Sequence, residues 1–267
     1  MKGYVYVNNE IIKSENSLRI GAIVEVRMTS SRLPGKHLLM SRSEPMISRL
    51  IRRIRSVKNI DQIIIATTTN WQDDVFESIA QKAQVSIFRG SEHNVMERVL
   101  YAALENKVDV ICEITGDCPL VDPELTETAI KKYLEGDFDY ITNGLSGLPD
   151  GLGCQVFSTK ALSHSYSIIE NNEDSRVIEL DKEHVTSHMQ RHPGIFKIHQ
   201  VITPEVLNWP TLSLSLDEQM DFEILNEVIE SLEPLDDLFS TEKVVNFFKS
   251  RPDLVAKNKM IYRRGFE

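Results

Sequence analysis

The sequence predicts an α/β protein, built as a three-layer α/β/α sandwich around a mostly parallel sheet. Short apolar runs of strand length alternate with amphipathic stretches along most of the chain. The amphipathic stretches are long enough to form the helical crossovers that connect parallel strands, which places helices on both faces of the sheet. The chain has 267 residues, of which 41% are hydrophobic, so it can form one large domain with a packed core.

Eight apolar runs are predicted as strands, at residues 20–26, 62–66, 85–88, 108–114, 140–143, 154–157, 196–201 and 212–216. Helices are predicted where apolar residues recur at helical spacing, at residues 45–57, 73–84, 94–106 and 123–134. The first of these helices carries several arginines, which we interpret as a solvated face. Residues 1–19 are an N-terminal extension, either a hairpin around Asn8-Asn9 or a frayed segment.

The composition favours a cytoplasmic protein over a nucleic-acid-binding or membrane protein. A formal net charge of −10 argues against general binding of nucleic acid. Cys112, Cys118 and Cys154 form no CxxC pair, which is typical of reduced thiols in the cytosol and predicts no disulfide. No apolar run reaches the roughly 18 residues of a membrane helix, and no signal segment is expected at the N-terminus.

The segment that follows the first predicted strand is the strongest functional signal. It places Arg27, Ser30, Arg32 and Lys36 at the carboxyl end of a buried parallel strand, where open α/β sheets bind ligands. Guanidinium groups and a lysine ammonium can neutralise several phosphate oxygens at once. The alternative is a solvated basic loop with a Pro-Gly turn. Because the cations directly follow a buried strand, we predict a triphosphate site.

Carboxylates follow two other predicted strands. Asp117 comes after the run at 108–114, and Asp217 comes after the run at 212–216. Mg²⁺ uses only one or two protein carboxylates and completes its coordination shell with phosphate oxygens and water. The alternative is helix capping, which we expect for Asp122 and which also suits Asp217. We predict that Asp117 and Asp217 share a Mg²⁺ ion, and that Asp217 is also an N-cap.

A histidine triplet is a weaker signal. His184, His188 and His192 recur every four residues, which would place them on one face of a helix. A zinc site usually adds a ligand from elsewhere and a supporting carboxylate, and the chain has no HExxH motif. We therefore expect His184 near a bound substrate, and His188 with His192 as a polar stripe or a subunit contact.

In this order and at these separations, the three segments resemble the cytidylyltransferase family that includes a spore coat polysaccharide biosynthesis protein, with acylneuraminate and ketodeoxyoctonate cytidylyltransferases as more distant relatives. Residues 20–204 carry most of the similarity. Further matching segments are residues 66–67, 73–74, 88–92, 139–143, 149–152 and 183–186. The resemblance implies a nucleotide-diphospho-sugar transferase fold. It also implies transfer of CMP from CTP to a sugar or sugar-like acceptor, with release of pyrophosphate, for surface polysaccharide or glycan biosynthesis.

The resemblance also implies roles for single residues. The four polar residues of the first loop would hold the triphosphate, and two of them, Arg32 and Lys36, would stabilise charge during the transfer. Asp117 and Asp217 would be the Mg²⁺ ligands. Seven further positions would line the remaining pockets, with Thr67, Gly90 and Ser91 around the base and ribose, and Asn143, Asp150, Glu183 and His184 around the acceptor.

The resemblance divides the chain into a nucleotidyltransferase domain at residues 20–250 and a C-terminal tail at residues 251–267. An insert at about residues 145–204 would bind the acceptor and contribute to a homodimer. We expect CTP and the acceptor to be small-molecule partners, with no nucleic acid and no membrane involved.

This sequence departs from the family pattern in two places. Thr29 stands where a glycine is usual, and Gly153 and Gln155 stand where an acidic pair is often found. Because the second departure removes negative charge from the acceptor half, we predict an anionic acceptor that bears a carboxylate, phosphate or phosphonate.

Two other functions stay open. A metal-dependent glycosyltransferase of related fold would use a nucleotide sugar, but it would normally have two aspartates separated by one residue, whereas this chain has Asp117-Cys118-Pro119. A catalytically weakened nucleotide-binding protein is supported only by the two departures from the family pattern.

Overall fold

The computed structural model describes residues 4–7, 10–13, 18–144, 147–171 and 175–261. The strands are β1 (Tyr4–Val7), β2 (Glu10–Lys13), β3 (Ile20–Glu25), β4 (Met40–Ser41), β5 (Glu44–Pro45), β6 (Gln62–Thr68), β7 (Ser86–Gly90), β8 (Val110–Thr115), β9 (Tyr140–Thr142), β10 (Gln155–Ser158) and β11 (Ile198–Gln200). The helices are α1 (Met46–Arg55), α2 (Val75–Ala83), α3 (Val95–Glu105), α4 (Pro123–Glu135), α5 (Thr159–Glu170), α6 (Ser175–Glu183), α7 (Ser187–Arg191), α8 (Gln219–Leu232), α9 (Thr241–Ser250) and α10 (Pro252–Met260).

Within the described residues, a sheet of seven strands has the order β11-β9-β10-β8-β3-β6-β7. Strand β3 lies near its centre and pairs in parallel with β6 and β8, so that Glu25 stands opposite Ala66 on one side and Thr115 on the other. Strand β10 is antiparallel to β8 and β9, and the other neighbours are parallel. The carboxyl ends of β3, β6 and β8 therefore meet at one edge of the sheet.

Helices cover both faces of the sheet, as predicted. Leu50 of α1, Phe76 of α2 and Ile130 of α4 share one buried cluster with side chains of β3 and β6. Val99 of α3 and Leu162 of α5 belong to a second cluster on the opposite face. Alternate residues of the central strands point to opposite faces, so the two helical layers bury both sides. The predicted three-layer α/β/α sandwich is confirmed.

Seven of the eight predicted strands and all four predicted helices are confirmed to within a few residues. The prediction at 212–216 is wrong. These residues, which all lie in the described part of the chain, make one isolated bridge between Ser213 and Asp150. The Leu216 N–H donates instead to the backbone oxygen of Asp117 at 2.7 Å. The alternating leucines are buried against the C-terminal helices. This packing explains why apolar residues alternate along the segment although no strand forms.

The mixed sheet and the N-terminus also differ from a simple parallel pattern. The sheet is mostly parallel, as predicted, but β9 and β10 are joined by residues 143–154, which contain no helix among the residues described. A connection without a crossover helix gives an antiparallel pair.

Strands β1 and β2 form a separate antiparallel pair, and the predicted Asn8-Asn9 turn between them lies outside the described residues.

The C-terminal third packs as a helical layer. Residues 252–260, within the predicted C-terminal tail, form α10, and the Asn258 amide donates to the Ser213 backbone oxygen at 2.6 Å. Asp122 joins this layer to the sheet. Its Oδ1 caps α4, as predicted, while its Oδ2 accepts hydrogen bonds from the Thr241 N–H and hydroxyl at 2.6 and 2.7 Å.

Two of the four arginines of α1, Arg49 and Arg53, are buried, so the interpretation of a solvated face is wrong for them. Arg49 donates through Nε to Glu233 at 2.9 Å, and Arg53 donates to the backbone oxygens of Val121 and Phe239, both at 2.8 Å. These arginines tie α1 to the C-terminal helices. The sequence of α1 alone does not reveal that another layer covers its charged face.

Cys112, Cys118 and Cys154 all lie in the described part of the chain and are buried with free thiols. Among the helices of the described ranges, none combines the length and the apolar character that crossing a membrane requires.

Candidate active site

The loop that follows β3 is closed on itself and fixed by Asp73. The Gly35 N–H donates to the Met28 backbone oxygen at 3.1 Å, and Gly35 has φ +71°, a left-handed conformation that favours glycine. Asp73 accepts a hydrogen bond from the Met28 N–H at 2.7 Å and another from the Thr68 hydroxyl. Asp73 is fully buried, so it fixes the loop to the end of β6. No role of its own was predicted for Asp73.

Two carboxylates converge on one lysine at the carboxyl edge of the sheet. Lys36 Nζ lies 3.0 Å from Asp117 Oδ2 and 2.9 Å from Asp217 Oδ1. Arg32 adds a contact of 2.8 Å between its NH2 and Asp217 Oδ1. The Lys36 side chain is only 8% exposed, so this ion pair is largely shielded from water. The structure thus brings together the two predicted metal ligands and the two predicted catalytic cations.

Gly116 allows Asp117 to reach this position. The Gly116 N–H donates to the Glu25 backbone oxygen at 2.9 Å, and a Cβ at Gly116 would lie 2.5 Å from that oxygen. Only glycine permits such a close approach. His37 packs against the same turn, and its Nδ1 lies 3.1 Å from the Gly116 backbone oxygen, which makes Nδ1 the protonated donor. His37 was not predicted as a site residue, although it directly follows Lys36.

Asp217 is not the N-cap of α8, so this part of the prediction is wrong. Glu218 is the N-cap and forms a capping box with Asp221. Asp221 Oδ2 also accepts a hydrogen bond from the Asp217 N–H at 3.0 Å. Because Asp221 and Glu218 satisfy the start of the helix, the Asp217 carboxylate is directed to Lys36 and Arg32.

The charges of the site keep its groups in defined protonation states. Burial alone would lower the pKa of Lys36, but Asp117 and Asp217 raise it above its usual value. Burial would raise the pKa of Asp117, but Lys36 holds it below its usual value. Burial and the Lys36 ammonium together lower the pKa of His37 to about 4. At neutral pH the ion pair is therefore charged and His37 is neutral.

Arg27 lies apart from this ion pair. It is half-exposed, and its NH1 lies 3.9 Å from Glu92 Oε1. Thr29 donates its hydroxyl to the same oxygen at 2.9 Å, and the Asn70 amide donates to Glu92 Oε2 at 2.7 Å. The threonine that departs from the family pattern therefore attaches the loop to Glu92. Ser30 is half-buried in the loop between Arg27 and Arg32.

The three residues predicted around the base and ribose lie at the ends of β6 and β7. Thr67 is fully buried within β6. Gly90 ends β7, where a Cβ would lie 3.2 Å from Arg98 Cγ. Ser91 accepts a hydrogen bond from the Asn94 N–H at 3.1 Å, and its backbone oxygen accepts from Arg98 at 2.6 Å. Ser91 therefore shapes the turn before α3, while its base-binding role stays a prediction.

The four residues predicted around the acceptor do not lie in one pocket. Asp150 lines a pocket of about 250 Å³ next to Asp117. Glu183 is exposed and lines a different cleft, of about 710 Å³, together with Arg27. Asn143 is buried, and its side chain accepts from the Cys154 N–H at 2.8 Å and donates to the Leu125 backbone oxygen at 3.2 Å. His184 is exposed just after α6.

The histidine triplet does not form one helical face. Helix α6 ends at Glu183 and α7 begins at Ser187, so His184 is on neither helix. His188 is buried, lies 2.8 Å from the Ser165 hydroxyl through Nδ1, and stacks with His192 at 4.3 Å between ring centroids. Among the described residues, no group of three or more histidine, cysteine or acidic side chains is arranged to hold a metal.

A buried network that was not predicted lies beside the pocket of Asp150. Glu113 of β8 is hydrogen-bonded to Glu25 of β3, and Gln155 of β10 donates to Glu113. Gln155 Oε1 accepts hydrogen bonds from the Tyr140 hydroxyl at 2.6 Å and the Thr186 hydroxyl at 2.5 Å. Glutamates inside predicted strands were a signal of this network, because charged side chains in a buried strand need partners.

Comparisons with known proteins, by sequence and by fold, give consistent matches. A family model described as Cytidylyltransferase matches residues 21–249. Spore coat polysaccharide biosynthesis protein SpsF of Bacillus subtilis is 30% identical over 243 residues, which cover 89% of this chain and 97% of that protein. A solved structure of a cytidylyltransferase from Leptospira borgpetersenii superposes with a TM-score of 0.82 at 26% identity, and covers 92% of this chain and 100% of that chain.

A more distant structure shares the fold. The structure of CMP:2-keto-3-deoxy-manno-octonic acid synthetase complexed with CTP has a TM-score of 0.59 at 16% identity, and covers 79% of this chain and 98% of that chain. At this identity the similarity concerns only the arrangement of strands and helices.

Proposed function

Because this chain belongs to the cytidylyltransferase family, we propose that it transfers CMP from CTP to a sugar or sugar-like acceptor, with Mg²⁺ and with release of pyrophosphate. As a family member, the chain is a CTP-dependent nucleotidyltransferase. The metal, the acceptor class and the residues are the proposed parts. The name of the Bacillus subtilis relative supports a role in the biosynthesis of surface polysaccharide.

The convergence of Asp117 and Asp217 on Lys36 carries this proposal. At the carboxyl edge of the sheet, Lys36 contacts both carboxylates and Arg32 contacts Asp217. These three contacts between charged groups measure 2.8 to 3.0 Å. Such sheets bind ligands at this edge. A triphosphate needs cations for its oxygens and carboxylates for its metal, and this site supplies both.

The side chains at the site fit Mg²⁺. Asp117 and Asp217 each place a carboxylate oxygen within 3.0 Å of one positive group, the Lys36 ammonium, so both already face a common cation. Hard oxygen ligands and a small number of carboxylates are what Mg²⁺ uses beside nucleotide phosphates. When bound, Mg²⁺ supplies neutralisation of charge on the triphosphate.

Lys36 and Arg32 supply the remaining positive charge. In the proposed reaction an acceptor oxygen attacks the α-phosphorus of CTP, and the bond from that phosphorus to the bridging oxygen of the pyrophosphate breaks. Lys36 and Arg32 stabilise the charge that develops on the α and bridging oxygens. For this role they exchange contacts with Asp117 and Asp217 for contacts with phosphate. No covalent nucleophile of the protein is required, since catalysis rests on positioning and charge.

Asp150 is the proposed proton acceptor for an acceptor hydroxyl. It is exposed in the pocket beside Asp117, and its Oδ2 accepts a hydrogen bond from the Ser213 hydroxyl at 2.7 Å. This contact fixes the orientation of the carboxylate. A carboxylate held within reach of the attacking hydroxyl can take its proton as the new bond to phosphorus forms.

An assay with purified protein, Mg²⁺, CTP and a panel of sugars tests the proposal. Release of pyrophosphate that depends on both CTP and a sugar is the expected result. A glycosyltransferase would instead release a nucleoside diphosphate or monophosphate from a nucleotide sugar. A catalytically inactive nucleotide-binding protein would bind CTP and release nothing.

The charge of the acceptor and a homodimeric state stay predictions at this point. For the dimer, the mass measured by sedimentation equilibrium distinguishes one chain from two.

A further inference from the structure

The pocket next to Asp117 is in the correct place to hold the acceptor. Its volume is about 250 Å³, just below the roughly 300–1,000 Å³ typical of ligand pockets, which suits one sugar ring. It is lined by Thr115 and Cys118, on either side of Asp117, and by Asp150. An acceptor bound here is therefore adjacent to the carboxylates and cations that would hold the triphosphate.

A chain of hydroxyl groups connects this pocket to the ion pair. Ser213 donates to Asp150 Oδ2 at 2.7 Å and lies 3.1 Å from the Ser215 hydroxyl. Ser215 donates to Asp217 Oδ2 at 3.3 Å. The pocket and the proposed metal site therefore share a continuous polar wall, which fixes the position of one relative to the other.

The side chains of this pocket carry negative charge or none. Among the described residues that line it, Asp150 and Glu113 are acidic, and no lysine, arginine or histidine occurs. The nearest cation, Lys36, is bonded to Asp117 and Asp217. A carboxylate or phosphate of an acceptor would lie beside like charges with no lining cation to compensate, which is unfavourable.

Glu113 adds shared negative charge to this pocket. Glu113 is 4% exposed and is hydrogen-bonded to Glu25 and Gln155. Burial raises the pKa of Glu113, and the neighbouring Glu25 raises it further, so the two carboxyls share a proton in the hydrogen bond between them. A carboxyl pair that shares one proton still carries one negative charge, so a hydroxyl or ammonium group is more favourable beside it than an anion.

Gln155 keeps the pocket from gaining a third carboxyl. It donates to Glu113, and its Oε1 accepts from Tyr140, Thr186 and, at 3.2 Å, Gln190. The amide orients these groups without adding charge. The second residue of the departure, Gly153, is required by packing, because a Cβ there would lie 2.6 Å from the Asn143 side-chain oxygen.

From this lining we propose that the pocket beside Asp117 binds an acceptor without negative charge, namely a hydroxyl-rich sugar that is neutral or carries an ammonium group, with Gln155 and Glu113 as its specificity-determining residues. The inference rests on the proposed cytidylyl transfer and replaces the anionic acceptor expected from the sequence. That expectation counted the negative charge removed at Gly153 and Gln155, and did not include the carboxyl that Glu113 adds from β8.

The test compares two classes of acceptor on the full chain with Mg²⁺ and CTP. Glucose, mannose and glucosamine represent the proposed class, and ketodeoxyoctonate, N-acetylneuraminate and mannose 6-phosphate represent the anionic class. We expect pyrophosphate release with at least one sugar of the first class at a kcat/KM tenfold or more above every member of the second. Equal or greater kcat/KM with an anionic acceptor overturns the inference.

A charge substitution tests the cause of the preference. Gln190→Lys places a cation in the pocket lining and should raise the ratio of anionic to neutral kcat/KM at least tenfold. Gln81→Lys, on the exposed face of α2, is the matched control and should leave the ratio unchanged. An unchanged ratio in a folded Gln190→Lys variant contradicts the charge argument, and the comparison on the unmodified chain stands even if that variant fails to fold.

Direct binding separates this inference from the proposed function. Titration calorimetry with Mg²⁺ and CTP alone tests the nucleotide site, and a failure to bind contradicts cytidylyl transfer itself. If CTP binds and no sugar turns over, saturation-transfer NMR on the CTP-loaded protein decides between the acceptor classes. Binding of the neutral or amino sugars supports the inference, while binding of only the anionic sugars, or of neither class, overturns it.

Discussion

Lys36 and Asp217 are 181 residues apart in the chain, and Lys36 Nζ lies 2.9 Å from Asp217 Oδ1. This contact joins the loop after β3 to the segment before α8. It also sets a condition for catalysis, because the ammonium that pairs with the carboxylates is the group proposed to contact phosphate. Binding of the nucleotide and its metal must therefore exchange the partners of Lys36.

Lys36→Ala should slow turnover strongly. Loss of a charge contact made in the transition state costs roughly 2–4 kcal/mol, which corresponds to a fall in kcat of about two to three orders of magnitude. The measurement is CTP-dependent pyrophosphate release, with a thermal melt to verify folding. Lys58→Ala, an exposed lysine after α1, is the control and should retain activity. Turnover near that of the unmodified protein in Lys36→Ala would remove Lys36 from the proposed mechanism.

Asp217→Asn should abolish metal-dependent activity while the fold stays intact. Asp217 does not cap α8, so its replacement leaves the capping box of Glu218 and Asp221 in place. Glu218→Ala is the complementary control, because loss of the cap should lower the free energy of unfolding by about 0.5–2 kcal/mol and leave catalysis largely unchanged. Urea unfolding and pyrophosphate release measure the two effects. The assignment fails if Asp217→Asn retains activity.

The stability of the protein should depend on pH through His37. Burial, followed by Lys36, lowers the pKa of His37 from 6.5 to about 4, so the unfolded state binds this proton more tightly than the folded state. The stability contribution is therefore complete above about pH 6.5 and is lost as the pH falls toward about 4, with a size of roughly 3 kcal/mol. His37→Asn should be less sensitive to pH over this range.

Glu25 acts in the opposite direction, so the comparison must be between two proteins. Burial raises the pKa of Glu25 from 4.5 to about 6, and its contribution is therefore present below pH 4.5 and lost as the pH rises through about 6. The difference in urea unfolding between the unmodified protein and His37→Asn, measured at pH 4.5 and pH 7, isolates His37. If the two proteins differ in their free energy of unfolding by the same amount at both pH values, the pH dependence assigned to His37 is wrong.

Gly153→Ala should destabilise the protein, since the added Cβ would lie 2.6 Å from the Asn143 side-chain oxygen. Overpacking of this kind typically costs about 1–3 kcal/mol. Gly194 offers a matched control, because a Cβ there would meet nothing within 4 Å, and Gly194→Ala should change the free energy of unfolding by less than about 0.5 kcal/mol. Equal stability of the two variants would show that the packing around Gly153 is looser than described.

Local patterns predicted the sheet and the position of the site. Apolar runs located the strands, and polar residues at their carboxyl ends located Lys36 and Asp117. Long-range packing was not predictable in the same way. The burial of Arg53 depends on a helical layer that is distant in sequence, and Leu212 to Leu216 alternate like a strand because they pack against that layer.

The acceptor half was predicted less well than the nucleotide half. Glu183 and Asp150 were assigned to one pocket from the resemblance, but they line different cavities. The network around Gln155 joins β8, β9, β10 and the turn before α7, so no single segment contains its pattern. Its only signal in the sequence was the presence of Glu25 and Glu113 inside apolar runs.

A crystal structure of the protein with Mg²⁺ and CTP is the decisive measurement for the proposed site. We expect phosphate oxygens within hydrogen-bond distance of Lys36 and Arg32, and a metal ion bound by Asp117 and Asp217. A structure in which the triphosphate lies elsewhere, while Lys36 still bridges the two carboxylates, would contradict it.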